Sequence, residues 1–262
     1  MPRLAANLNF LYAEHSYLDR VAAAARDGFR AVEMQTPYDF PIADVRARLE
    51  ASAVKLCLIN MNMGDPKKGE RGFGAVPGRE EDFRRALDQA IEYAAGLGLP
   101  AIHAIAGVMV PGESRERHRE VYVKNLADAA AQAKSIGATV VIEPINTRDV
   151  PGFFLNRQAE AHAICRDVGA ANLKVQMDLY HCQIVEGDVA TKMRQYMHAV
   201  AHIQVAGAPE RHEPDTGEQN YRYLLALADE LGYAGWVGCE YRPAKGTSEG
   251  LGWAKPYLQG TT

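Results

Sequence analysis

The chain has few cysteines, no long apolar run and no excess of positive charge. It has 4 cysteines in 262 residues and no CxxC pair, which excludes a disulfide framework and is typical of a reducing compartment. A net charge of −4 offers no electrostatic reason to bind nucleic acid or an anionic membrane. The apolar stretch near the N-terminus is too short for a signal peptide or a membrane span. We therefore predict a cytoplasmic protein with neither nucleic acid nor membrane as its partner.

Short, β-rich apolar runs alternate with stretches in which apolar residues recur every three to four positions. Such alternation predicts a parallel sheet covered by helices. No GxGxxG motif follows the first run, which disfavours a dinucleotide-binding fold. The length of 262 residues is close to the roughly 250 of one α/β barrel. We predict one (β/α)8 TIM barrel domain over residues 1–262, with strands at 4–10, 30–35, 54–61, 100–106, 138–144, 172–178, 200–206 and 236–241.

Two long segments interrupt this alternation. Residues 62–82 follow the third predicted strand and are rich in glycine and charge, and residues 206–221 follow the seventh. Both leave the carboxyl ends of strands, which is the face where barrel active sites form. We therefore predict that they form a lid and a wall of the site.

Four oxygen-bearing side chains stand near the ends of four consecutive predicted strands: Glu143, Asp178, Gln204 and Glu240. Burying a carboxylate without a partner costs several kcal/mol, and one divalent cation would offset that cost for the whole set. Oxygen ligands without cysteine favour Mg²⁺ or Mn²⁺ over structural zinc. The alternative is that each carboxylate caps a helix or pairs with an arginine.

Two histidines are further candidates. His181 ends the tetrad that begins with Asp178, and it can serve as a ligand, as a partner of a ligand or as a donor to a substrate oxygen. His103 lies within the fourth predicted strand and is a candidate for substrate binding at the barrel mouth. The alternatives are a plain loop histidine for His181 and a hydrogen-bonded core histidine for His103.

Several motifs around these residues occur together in one known family. The chain resembles the hydroxypyruvate isomerase family of the xylose-isomerase-like TIM barrels in the opening ANLNFLY, the loop RGFGAVPGRE and the motifs EPIN at 143–146, DLYH at 178–181, HIQV at 202–205 and GCEY at 238–241. The resemblance implies that Glu143, Asp178, Gln204 and Glu240 bind a divalent metal. It further implies that Glu143 and Glu240 are the acid/base pair.

The resemblance predicts an isomerase for a small hydroxy-oxo acid, most directly the interconversion of hydroxypyruvate and tartronate semialdehyde through an enediolate. The family also includes 2-oxo-tetronate isomerases, and its wider kin include ketose 3-epimerases. A carboxylate substrate needs an anchoring cation, for which Arg71 and Arg79 are the candidates and Arg148, Arg242 and Lys67 the rivals. A barrel that binds a sugar acid without turnover is the alternative from another class. The sequence leaves homo-oligomer formation open.

Overall fold

Eight strands of the described residues pair in chain order, and the last strand pairs with the first to close a barrel. This computed structural model describes residues 1–258. The strands are β1 Arg3–Asn7, β2 Ala31–Met34, β3 Lys55–Asn60, β4 Ala101–His103, β5 Thr139–Ile142, β6 Leu173–Asp178, β7 Val200–Val205 and β8 Trp236–Cys239. The predicted (β/α)8 class is therefore confirmed.

Helices fill the connections between the strands and the segment after the last strand. They are α1 Asp19–Arg26, α2 Ile42–Ala51, α3 Glu80–Leu97, α4 Arg115–Ser135, α5 Gln158–Val168, α6 Leu179–Val185, α7 Val189–Tyr196, α8 Tyr221–Glu230, α9 Thr247–Gly250 and α10 Lys255–Leu258. Their ends follow local chemistry. Helix α3 begins with Glu80, Glu81 and Asp82 in its first turn, where carboxylates stabilise the helix dipole. It ends at Leu97 and is followed by the capping residue Gly98, whose φ of +64° glycine adopts without strain.

Several predicted strands are longer than the observed ones. The first ends at Asn7 rather than at residue 10, and the fourth covers Ala101–His103 rather than 100–106. Residues beyond these ends, such as Leu8 and Ala104, remain buried although the chain has left the strand. An apolar run therefore marks burial, and only the backbone pairing decides where the strand ends.

The chain forms two compact units. The first consists of Met1–Cys57, Asp178–His198 and the segment from His202 onward. Within it, the register pairs Asn7 with Glu33 and Gln204 with Gly238. The first pairing places the polar side chains of Asn7 and Glu33 at the same level of the sheet.

The second unit consists of Leu58–Met177 and Ala199–Ala201. Within it, part of the predicted lid is fastened to the segment that follows β4. The backbone nitrogens of Gly74 and Ala75 donate to Ile105 and Ala106 over 3.0 and 2.6 Å. The Asn125 amide on α4 donates to the Gly74 carbonyl oxygen over 2.8 Å. This part of the loop is therefore a braced wall. The prediction of a single domain over 1–262 stays a prediction, and residues 259–262 lie outside the described residues.

Gly107 makes this bracing possible, and its replacement is a test of it. Its φ is +97°, and a Cβ there would overlap the Gly72 carbonyl oxygen. We expect Gly107→Ala to lower the free energy of unfolding by about 1–3 kcal/mol or more, measured by urea denaturation. Gly112→Ala is the matched control, because Gly112 has a similar φ of +88° but no atom of the described part of the chain within 4 Å of the added Cβ. Equal losses in both variants would show that backbone strain alone is responsible.

The cysteines and the helices have the properties that the composition of the chain indicates. All four cysteines are free thiols; Cys57, Cys182 and Cys239 are buried, and Cys165 is half-buried. None of the helices within residues 1–258 has the length and apolar character that a bilayer span requires.

Candidate active site

The predicted site residues lie at the carboxyl ends of their strands. Asp178 is the last residue of β6 and His103 the last residue of β4, while Gln204 is the next-to-last residue of β7. Glu143 and Glu240 each follow directly after a strand, β5 and β8. All five are buried, with exposed fractions of 7% or less.

Asp178 has two different roles on its two carboxylate oxygens. Its Oδ1 accepts hydrogen bonds from the backbone nitrogens of Tyr180 and His181, at 2.7 and 3.3 Å, and so caps α6. Its Oδ2 has no hydrogen-bond partner among the described residues and lies 3.7 Å from His181 Nε2. Burial raises the pKa of this carboxyl to about 6, although Arg211 and the two backbone N–H groups act in the opposite direction. The capping alternative therefore holds for one oxygen and leaves the other for a ligand.

Each unit brings a buried carboxylate beside an imidazole. In the first unit, Asp178 Oδ2 lies 3.7 Å from His181 Nε2. In the second, Glu143 Oε2 lies 3.6 Å from His103 Nδ1. A carboxylate with an imidazole is a donor set that divalent cations accept. The buried, unsatisfied Asp178 Oδ2 and this donor set therefore fit a metal ion.

Glu240 lies in a dense set of hydrogen bonds. Its Oε1 accepts from Arg211 over 2.7 Å and from Gln35 over 3.3 Å. Its Oε2 accepts from the side-chain amides of Gln204 and Asn7, over 2.6 and 3.2 Å. Burial raises the pKa of Glu240 to about 8, Arg211 opposes the shift, and the negative charges of nearby carboxylates add to it. An acid group of this kind can hold or release a proton near neutral pH.

Arg211 was not among the sequence candidates. It is 8% exposed, and its guanidinium lies between the rings of Phe10 and Tyr180, 4.8 and 5.0 Å from their centroids. Its backbone adopts a φ of +60°, a strained conformation for a side-chain-bearing residue and one that concentrates at functional sites. The available signal was its position in the segment 206–221, already predicted as a wall of the site.

Three further buried polar residues were also missed as site residues: Asn7, Glu33 and His202. Glu33 stands in the apolar strand β2 and is 1% exposed. The rule that identified Glu143 and Asp178, a carboxylate in a buried run, applies equally to Glu33. It was missed because the predicted ligands came only from the last four strands.

Arg71 and Arg79, the predicted anchors, both make contacts within their own loop. Arg71 donates to the carbonyl oxygens of Pro66 and Glu70, over 3.2 and 2.7 Å. Arg79 donates to Glu70 over 2.8 Å and to Asp82, and its guanidinium stacks 4.6 Å from the Phe73 ring centroid. These contacts give both arginines a structural role in residues 62–82.

Comparison with known proteins identifies the family. Residues 21–257 match the model of the xylose isomerase-like TIM barrel. This chain belongs to that family. The 2-oxo-tetronate isomerase of Cupriavidus necator is 58% identical to this xylose isomerase-like chain over 258 residues, which cover 98% of the chain and 99% of the relative. The hydroxypyruvate isomerase of Escherichia coli is 42% identical over 257 residues, covering 98% and 100%.

A solved structure has the same fold over nearly the whole chain. The crystal structure described as an AP endonuclease of family 2 from Brucella melitensis has a TM-score of 0.96 and 42% identity, and the match covers 98% of this chain and 99% of that one. The two full-length relatives described above are isomerases. This xylose isomerase-like protein is therefore an isomerase of the aldose–ketose type that acts on a small molecule, which confirms the predicted enzyme class and the predicted kind of partner.

Proposed function

We propose that the protein moves the carbonyl group of a small hydroxy-oxo acid to the adjacent carbon, with a divalent cation and two glutamates. The observation that carries this proposal is the buried Asp178 Oδ2, which has no hydrogen-bond partner among residues 1–258 and lies 3.7 Å from His181 Nε2. Mg²⁺ and Mn²⁺ are the proposed ions, because the predicted donor set is mostly oxygen. Asp178 and Glu143 would hold the ion, with Gln204, Glu240 and His181 as the other candidate donors.

The reaction class defines what the side chains must do. Shifting the carbonyl removes a proton from the carbon that carries the hydroxyl group, passes through an enediolate and returns a proton to the neighbouring carbon. A bound divalent cation supplies Lewis acidity that stabilises the negative charge of the enediolate. Glu143 and Glu240 are the proposed proton carriers, since both are buried carboxyls at strand ends. The raised pKa of Glu240 supports this role.

The proposed substrates come from the relatives. A 2-oxo-tetronate is the first candidate, because the relative with that name is 58% identical over nearly the whole length. Hydroxypyruvate is the second, because the relative with that name is 42% identical. Both are 2-oxo acids with a hydroxyl group on the adjacent carbon, so one site chemistry serves either.

Arg211 is the first proposed anchor for the substrate carboxylate, and Arg71 and Arg79 are the second. Arg211 is held between two aromatic rings and donates to Glu240, so its charge is directed toward a proposed proton carrier. A desolvated charge-assisted hydrogen bond contributes about 1.5–3 kcal/mol. We expect Arg211→Gln to raise KM for the acid at least about tenfold and also to lower kcat, because Glu240 loses its partner.

The same assay separates the loop arginines from Arg211. Arg71→Gln and Arg79→Gln should raise KM without changing kcat if either one holds the carboxylate. If either arginine only braces the loop, its loss should affect an acid and a neutral ketose equally. A strong effect on KM at Arg71 or Arg79, with none at Arg211, would transfer the anchor to the loop.

The function itself is tested with the purified protein on a panel of substrates. Activity toward 2-oxo-tetronates and hydroxypyruvate is measured before chelation, after chelation and after addition of Mn²⁺ or Mg²⁺. We expect chelation to abolish turnover and the cation to restore it. Full turnover in protein shown by elemental analysis to lack metal would contradict the proposed requirement for a cation. Better turnover of neutral ketoses than of the acids would replace the proposed activity with that of a ketose 3-epimerase.

A further inference from the structure

We propose that Glu33 is a positioning residue that fixes the side-chain amide of Gln204, so that the Gln204 carbonyl oxygen is directed toward the cation. This inference rests on the proposed function, because it takes Gln204 as a ligand of that cation. Glu33 itself lies in β2 and belongs to no predicted motif. It is 1% exposed, so its carboxylate is held in place by protein atoms rather than by solvent.

The hydrogen bonds of the Gln204 side-chain amide fix which of its two ends faces the carboxylates. The Gln204 Nε2 donates to Glu33 Oε2 over 2.8 Å and to Glu240 Oε2 over 2.6 Å. An amide nitrogen carries two hydrogens and accepts none, so these two bonds use both of its donors. The reverse orientation would place the amide oxygen against two carboxylate oxygens. The two carboxylates together therefore direct the Gln204 oxygen away from themselves.

A second amide completes a closed ring of hydrogen bonds. Asn7 Nδ2 donates to the same two oxygens, Glu33 Oε2 over 2.8 Å and Glu240 Oε2 over 3.2 Å. The N–H groups of the two amides thus lie between the carboxyl groups of Glu33 and Glu240 and donate hydrogen bonds to both of them. Such a closed arrangement fixes rotamers more firmly than single hydrogen bonds do.

Glu33 is in turn held on its other side. The His202 ring donates from Nε2 to Glu33 Oε1. Gly238 on β8 leaves the space that the carboxylate occupies, because a Cβ at that position would overlap Glu33 Oε1. Glu33 is therefore a built-in support for Gln204, through which it acts on the proposed cation. Residues that orient metal ligands without binding the metal typically change its affinity by about 10–100-fold when they are replaced.

The test measures Mn²⁺ dissociation constants by calorimetry, independently of turnover. We expect Glu33→Gln to weaken Mn²⁺ binding at least about tenfold. In the background of Gln204→Leu, the same change should alter binding less than about twofold, because the ligand that Glu33 positions is absent. Glu186→Gln is the matched control: the Glu186 side chain is 7% exposed, pairs with Lys192 over 3.2 Å and should leave Mn²⁺ affinity unchanged.

Gly238→Ala displaces the same carboxylate without removing its charge, and it serves if Glu33→Gln does not fold. We expect a loss of Mn²⁺ affinity in the same range. Wild-type affinity in Glu33→Gln or in folded Gly238→Ala, or equal losses with and without Gln204, would overturn the inference and leave the proposed function intact. A wild-type protein that binds no Mn²⁺ would overturn both.

Discussion

Asp178→Ala is expected to weaken the binding of Mn²⁺ by more than about 10²-fold and to lower kcat/KM at least as much. Even residues that only orient a ligand change metal affinity by about 10–100-fold, so the loss of a direct ligand should exceed that range. Asp178 is fully buried, and within residues 1–258 its Oδ2 has no hydrogen-bond partner to replace a cation. Elemental analysis after dialysis and calorimetric titration with Mn²⁺ measure the effect.

The helix cap formed by Asp178 requires its own controls. Asp178→Asn retains an oxygen that can accept from the backbone nitrogens of Tyr180 and His181, so it should keep the cap while losing the charge that binds metal. Ser114→Ala removes the cap of α4, which bonds the Arg117 nitrogen, and should lower stability by about 1 kcal/mol without changing Mn²⁺ affinity. Normal metal binding in Asp178→Ala would leave Asp178 with a capping role alone.

The second large effect is expected at the two glutamates. Glu143→Gln and Glu240→Gln should each lower kcat by at least about 10²-fold, the scale of lost general acid/base catalysis. Both changes keep the volume of the side chain, so circular dichroism and thermal melts should show a folded protein. Glu186→Gln is the control for replacing a buried glutamate side chain, and its kcat should stay near that of the wild type.

Proton exchange distinguishes the two proposed roles. In D₂O, proton NMR follows the loss of the substrate C–H signal together with the formation of product. The variant that lacks the base should lose both exchange and isomerisation, whereas the variant that lacks only the acid should exchange the proton without forming product. Near-normal kcat in either variant would restrict that glutamate to binding or structure.

Each predicted ligand lies where its strand pattern placed it. Asp178 and Gln204 fall at the ends of β6 and β7, and Glu143 and Glu240 directly follow β5 and β8. The reason is that a parallel strand bordered by helices must be apolar on both faces, so that a carboxylate at its end is conspicuous in the sequence. Strand bounds were predicted less well, because burial under loops extends the apolar run beyond the pairing.

The partners of these ligands could not be read from the sequence. Glu33 and Glu240 are 207 positions apart in the chain, yet the same two amides bond both of them. Arg211 reaches Glu240 from a loop whose composition only indicated a wall of the site. Such contacts depend on which strands adjoin in the closed barrel and on the rotamers that fit there, and neither leaves a local pattern.

The sequence by itself determined the alternation of strands and helices, the barrel class and the residues at the strand ends. These features follow from periodicity and from the cost of burying charge, both of which act over a few residues. Only the tertiary structure decided that Asp178 is both a cap and a candidate ligand, that Arg79 is held by Glu70 and Asp82, and that Glu33 supports Gln204. Those roles arise from hydrogen bonds between distant segments, which form only when the fold brings donors and acceptors within about 3 Å of each other.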